Sequence, residues 1–150
     1  MSTDTIEREI SIEAPVDRVW SLITEAEHLG TWFGDAGADI DLRPGGTLEV
    51  RWDGHRLHGV VEAVEPTSRF AFRWRQLDSA AGEELVAGNS TLVEFHLEHD
   101  GGTTRVRVVE SGFESLALPA EDRTGLLDGH TKGWASEMGE LQTYGSGAAV

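Results

Sequence analysis

From about Ala36 to Ser111 the chain alternates apolar and polar residues with a period of two, interrupted by short turn signals. Leu48, Val50 and Trp52 alternate with Thr47, Glu49 and Arg51. Phe70, Phe72 and Trp74 alternate with Ala71, Arg73 and Arg75. Thr91, Val93, Phe95 and Leu97 alternate with Leu92, Glu94, His96 and Glu98. Successive side chains on a strand point to opposite faces, so these are strands with one apolar side. The breaks are Pro44-Gly45-Gly46, Asp53-Gly54, Glu65-Pro66-Thr67-Ser68 and Asp100-Gly101-Gly102. Connections this short join antiparallel neighbours. Only the segment from about Asp78 to Gly88, rich in Ala, Gly and Glu, reads as a longer loop.

The flanks have other periods. Ile6, Ile10 and Ile12 alternate with Glu7, Glu9 and Glu13 in a first strand. Pro15 then opens a helix whose Val16, Val19, Trp20 and Ile23 form one apolar stripe. Thr24 and Glu27 have capping-box spacing, which predicts a second short helix carrying Leu29, Trp32 and Phe33 and stopped by Gly34. After the strands, Leu127, His130, Trp134, Met138, Leu141 and Tyr144 recur at threes and fours. Gly125, Gly129 and Gly133 fall on one stripe of that helix, which implies either close backbone approach or a partly helical first half. Residues 145–150 carry no pattern and are expected to be a loose tail on a single domain spanning 1–150, with its core at about 5–144.

A sheet with one apolar face must bury it, and the last helix is the only long amphipathic element available. The expected class is therefore α+β: a curved antiparallel sheet of about seven strands wrapped around a long C-terminal helix, with two short helices after the first strand. Such a wrap tends to leave a cavity between sheet and helix.

Charge narrows the partners. With 27 Asp and Glu against 12 Lys and Arg, the net charge is −15. That charge opposes binding to nucleic acid or anionic lipid. The chain has no cysteine, no signal-peptide pattern and no apolar run long enough for a membrane span, so a cytoplasmic protein is expected.

Several runs together resemble a known family. They are Ile12-Glu13-Ala14-Pro15-Val16-Asp17-Arg18-Val19-Trp20, Glu27-His28-Leu29 through Trp32-Phe33, and Asp41-Leu42-Arg43-Pro44-Gly45-Gly46. Gly59-Val60-Val61 leading to Glu65-Pro66 and Phe70-Ala71-Phe72-Arg73-Trp74 follow. Glu110-Ser111-Gly112-Phe113 and Gly133-Trp134 complete the set. In this order they resemble the START-like helix-grip (SRPBCC) superfamily, in the branch named for homology to the activator of heat-shock protein 90 ATPase. The resemblance implies the helix-grip fold and a hydrophobic cavity between sheet and C-terminal helix. Where the family commonly has a His before Ser-Gly, this chain has Glu110.

Glu110 shares a strand face with Val106 and Val108 and so points inward, where it could act as an acid or base or hold a polar ligand group. The competing reading puts it at the strand's end, solvated or bonded to backbone. Trp32, Phe33, Trp52, Phe70, Phe72, Trp74, Phe95 and Trp134 are the aromatic side chains available to line a pocket, against the alternative of ordinary core packing. His130 lies on the apolar stripe of the last helix, either as a satisfied cavity-edge side chain or as a catalyst. His55 and His58, and His96 and His99, lie three apart on strands, where they face opposite ways and cannot chelate. Asp35, Asp39 and Asp41 lack the glycine and terminal Glu of a calcium loop and read as a charged sheet edge. No metal or cofactor is expected. The leading expectation is a non-enzymatic binder of a small hydrophobic or aromatic ligand. An aromatase/cyclase-like enzyme using Glu110 or His130 is the alternative, and a chaperone-linked or regulatory interaction domain the third. A homodimer is left open.

Overall fold

The computed structural model describes residues 4–77 and 84–148. Part of the Ala/Gly/Glu-rich loop, residues 78–83, and the last two residues lie outside them. Strand β1 (Thr5–Ile12) leads to α1 (Val16–Thr24) and a single turn, α2 (Ala26–His28). A wider turn over Leu29–Phe33 continues it, closed by an i→i+5 bond from Gly34 N–H to Leu29 O at 2.8 Å. Six strands follow: β2 (Ala38–Ile40), β3 (Thr47–Trp52), β4 (His55–Glu65), β5 (Arg69–Arg75), β6 (Ser90–Asp100) and β7 (Thr103–Ser111). A short 3₁₀ turn at Phe113–Ser115 precedes the long helix α3 (Ala120–Ala148).

All seven strands form one antiparallel sheet in the order β1-β7-β6-β5-β4-β3-β2. Every neighbour pair except β1 with β7 is consecutive in sequence, as the short turns require. Between β4 and β5 the register slips by one residue between Val61 and Ala63. That bulge bends the long strand β4 and adds to the curvature of the sheet. The helix-grip architecture expected from the alternation and from the resemblance is the observed one.

The concave face is buried by three things. Phe70, Phe72, Phe95, Val93, Val106 and Val108 from the centre of the sheet pack under Val19, Leu22 and Ile23 of α1 and under Leu29 and Trp32. The C-terminal half of α3 rests on β1 and on the wide turn at 29–33, and Trp134, Met138 and Leu141 are its buried side chains. Nothing on α3 before Trp134 is fully buried. The N-terminal half therefore stands off the sheet.

Two local expectations are corrected, the capping box and the loose tail, and two details of the fold stand beside them. The first concerns the helix boundary at 24–27, which falls where expected but without a capping box: Glu25 is the cap residue and makes no side-chain cap bond, while Thr24 Oγ1 donates back to Trp20 O at 2.8 Å. Trp20 is only partly buried, edge-on to Phe70 with centroids 6.5 Å apart. Strand β2 stops at Ile40, because Asp41 to Gly46 already turn the chain back, and Leu42 is exposed. Lastly, residues 145–148 are helical rather than a loose tail. A Cβ at Gly145 would lie 2.8 Å from Ile12 Cγ2 and 3.2 Å from Leu22 Cδ1. The missing side chain lets the last turns of α3 sit directly on β1 and α1.

Candidate functional site

Where α3 stands off the sheet, a cavity of ≈ 560 Å³ opens. That is within the range of small-molecule sites, roughly 300–1,000 Å³. Its aromatic wall is Phe33, Trp52, Trp74 and Trp134, with Leu57, Leu77 and Leu126 beside them. Each reaches it for a local reason. The wide turn at 29–33 sends consecutive residues inward, Trp32 toward the core and Phe33 toward the cavity. Trp52 and Trp74 are the last inward positions of β3 and β5, beyond the part of the sheet that α1 covers. Phe33 stacks on Trp134 (5.4 Å, 10°) and on Trp74 (5.6 Å, 20°), and meets Trp52 edge-on (5.3 Å, 78°). Offset stacking and T-shaped contacts of this kind hold aromatic rings in fixed positions.

Of the aromatic residues expected at a pocket, the structure brings these four together there and leaves the other four in the core. Trp32 is buried, with its indole N–H donating to Leu22 O at 2.7 Å and its ring against Phe95. Phe70, Phe72 and Phe95 are fully buried and pack on one another. These four are core packing because α1 and the wide turn cover the middle of the sheet.

Glu110 is fully buried, and neither solvent nor backbone satisfies it. Oε2 accepts from the Trp74 indole N–H at 2.7 Å and from the Thr91 hydroxyl at 2.6 Å. Oε1 accepts from the Trp134 indole N–H at 2.8 Å and pairs with His130 Nδ1 at 2.7 Å. Gln76 adds a bond to Thr91 Oγ1 at 3.3 Å. Four donors around an acceptor-only group use its capacity fully. The carboxylate is thus tied to the very tryptophans that wall the cavity, and it holds sheet and helix at a set distance. It does not itself line the cavity.

His130 does line it, 21% exposed, flanked edge-on by Trp74 and Phe113. In the tautomer that donates Nδ1–H to Glu110, Nε2 is an acceptor, and it has no partner among the described residues. The pairing of a buried carboxylate with a cavity histidine can orient that histidine for hydrogen bonding or proton transfer.

Sequence reasoning missed the rest of the lining. Gly129 and Gly133 face the cavity, and a Cβ on either meets nothing within 4 Å. The glycine stripe on α3 is therefore neither a close contact nor a break in the helix; it is an open, exposed face of the helix at the cavity. Glu137, half-buried, completes the wall one turn beyond Trp134. Its carboxyl is pushed up to about 7, first by burial and then by the neighbouring charges of Glu140 and Asp35. Its position three residues after Trp134 and seven after His130 is the signal that could have found it.

The remaining singled-out residues pair with neighbours on the sheet or its edge. Arg56 and His58 approach Glu49 at 4.0 and 3.6 Å, while His55, on the other side of β4, lies against the Trp52 ring. Asp39 pairs with Arg51 and Asp41 with Arg43 at and beside the edge strand β2. Asp35 accepts from Asp53 N–H at 3.0 Å. Among the described residues no group of side chains has the arrangement of a metal site, and no helix is long and apolar enough to cross a membrane.

The fold is similar to that of several solved structures. MLL2253 from Mesorhizobium loti superposes with a TM-score of 0.75 at 22% identity, over 93% of this chain and 94% of that one. The Aha1 dimer of Colwellia psychrerythraea gives 0.72 at 20% identity, over 95% and 96%. DynU16, a protein in the dynemicin biosynthetic locus, gives 0.72 at 27% identity, over 94% of this chain but 46% of that longer one. A search of curated proteins returns no match. In sequence, residues 13–145 match the family described as activator of Hsp90 ATPase homolog 1-like protein. With nearly the whole length matched and the helix-grip architecture present, the chain belongs to the activator of Hsp90 ATPase homolog 1-like family of the START-like superfamily.

Proposed function

We propose that the protein binds a small hydrophobic or aromatic molecule in the cavity between the sheet and α3, as a sensor or carrier rather than an enzyme. One observation carries the reading: four aromatic rings and two exposed, side-chain-free helix positions line an open cavity of ≈ 560 Å³ between the sheet and α3. Glycine within a helix costs about 0.5–1 kcal/mol relative to alanine, so space kept at that cost favours a ligand. Glu110 supports binding over catalysis, because its oxygens already hold four donors.

The test is a thermal-shift and tryptophan-emission screen against fatty acids, sterols, flavonoids and naphthols. Trp52, Trp74 and Trp134 line the cavity, so an occupant should both raise the melting temperature and change emission. No shift in either across the panel rejects the reading.

A second reading rests on His130, whose tautomer Glu110 sets beside the cavity. It is acid–base chemistry on a bound poly-ketone, with His130 as the base. It requires that His130→Gln abolish turnover while ligand still binds. The interaction-domain reading needs a closed cavity and a broad apolar surface. Its support is the similarity to an Aha1 dimer, which is also compatible with a homodimer. Against it, only Leu42 and Val86 are large exposed apolar side chains among the described residues.

A further inference from the structure

The stretch of α3 that lines the cavity has two unlike ends. At one, His130 joins Gln76, Thr91, Trp74, Trp134 and the satisfied Glu110 in a closed network. At the other stands Glu137, one turn beyond Trp134. Glu137 Oε2 is buried there with no hydrogen-bond partner, and the residue makes no ion pair among the described residues. A carboxylate oxygen removed from water without a donor is unfavourable, and a ligand donor would reverse that. We propose, building on the pocket reading above, that this end recognises the ammonium group of an organic amine, with the apolar body of the ligand lying along the tryptophans toward His130.

Three features of the site point to a cation rather than to a neutral or anionic group. The first is the unpartnered carboxylate oxygen itself, which can only accept. The second is the surroundings: Glu140 on α3 and Asp35 just after the wide turn are the charges that act on Glu137. Both are carboxylates, and together they concentrate negative potential in a chain already at −15. The third is the aromatic wall, whose ring faces attract alkylammonium groups.

The basic groups lining the same cavity are accounted for. Arg56 and His58 turn to Glu49, on the outer face of the sheet. Arg75 has an interaction of its own. His55 lies on Trp52, and His130, two helical turns from Glu137, is bonded to Glu110. Seven residues of α-helix separate His130 and Glu137 by about 10 Å along the axis, the length of a two- to three-ring aromatic body.

The consequence is a pH-dependent preference. An ammonium ligand favours the ionised carboxylate, which the Glu137 environment makes scarce below about 7. Its affinity should therefore rise with pH and then level off, with release of a proton on binding at lower pH.

Three ligands of one shape test this: 1-naphthylmethylamine, 1-naphthalenemethanol and 1-naphthoate, titrated calorimetrically at about pH 6 and about pH 8. The amine should bind at least roughly tenfold tighter than the alcohol at the higher pH, and roughly tenfold more weakly at the lower pH. Glu137→Gln should bring the amine to the level of the alcohol at both pH values, with unchanged alcohol binding and an intact melting transition. If the alcohol or the naphthoate binds as tightly as the amine, or if Glu137→Gln keeps the preference, the cation site is wrong while the pocket reading survives. If none of the three binds, both fall.

Discussion

Two carboxylates face the interface between sheet and α3, and they are treated in opposite ways. Glu110 enters from β7, is fully buried and is met by two indole N–H groups, a hydroxyl and an imidazole. Glu137 enters from α3, is half-buried and keeps one oxygen without a partner between two further carboxylates. Burial alone does not distinguish a structural acid from a functional one; the count of donors does. A saturated carboxylate ties elements together and has nothing left for a ligand. An unsaturated one at a cavity is held in an unfavourable state by the rest of the fold, and that is the condition in which binding energy is available.

The largest effect should come from breaking the saturated member. Glu110→Ala leaves four donors facing one another in a dry site, and each unmet buried donor costs about 1–3 kcal/mol. Allowing for relaxation, we expect a loss of about 4 kcal/mol, read as a large drop in urea midpoint. Glu110→Gln should cost less, about 2 kcal/mol, since the Thr91 hydroxyl or the other His130 tautomer can accept from the new amide. A substitution series that leaves stability unchanged would show that the network does not join sheet to helix. For the same reason, a loss of turnover in Glu110→Gln would not by itself identify a catalytic base.

The same exchange at Glu137 should have the opposite sign. The carboxyl is raised from 4.5 to about 7 in the folded protein, so the folded state holds its proton more tightly than the unfolded chain does. Stability is then full below about 4.5 and declines as pH rises toward 7, where the penalty of the buried charge is complete. Glu137→Gln removes that penalty. Discounted for solvent at a half-buried site, the gain should be on the order of 1 kcal/mol above about pH 7.5 and close to zero below about pH 5. Melting curves across that range should show a gap of roughly 2–4 °C opening with pH. A gap independent of pH would mean that Glu137 is an ordinary solvated glutamate, and the contrast with Glu110 would lose one side.

How far each carboxylate was visible beforehand follows from the element it sits on. Alternation on β7 places Glu110 on the same face as Val106 and Val108 whatever the rest of the fold does, because a strand has only two faces. Its four partners were not visible, since Trp74, Thr91, His130 and Trp134 come from three elements, β5, β6 and α3, whose placement against β7 depends on strand register and on the tilt of α3. Glu137 stood among 27 acidic residues, and a helix has a continuum of faces. Which of them meets a cavity depends on how far the helix stands off the sheet. The aromatic residues divide the same way. Phe70, Phe72 and Trp74 are indistinguishable by alternation, yet α1 covers the first two and leaves the third at the cavity wall. The seven strands, by contrast, were legible because each one repeats a local pattern between turns such as Asp53-Gly54, which joins Trp52 to His55 directly.

The glycines of α3 carry the smallest and most discriminating prediction, because they tie the cavity to its cost. A missing side chain is compatible with a close contact or with a void, and only the position of the helix decides which. At Gly145 it is contact; at Gly129 and Gly133 it is open space. Gly133→Ala should therefore stabilise the protein by about 0.5–1 kcal/mol, since it restores helix propensity and its Cβ meets nothing. Gly145→Ala should destabilise, because Ile12 stands 2.8 Å from the new Cβ. Gly133→Leu separates the reasons for keeping glycine: its side chain projects into the cavity between His130 and Glu137, so it should keep most of the helix gain while weakening whatever ligand the thermal-shift screen finds. If Gly133→Leu binds that ligand unchanged, the bound molecule does not lie along α3, and the cavity between the two carboxylates is not its site.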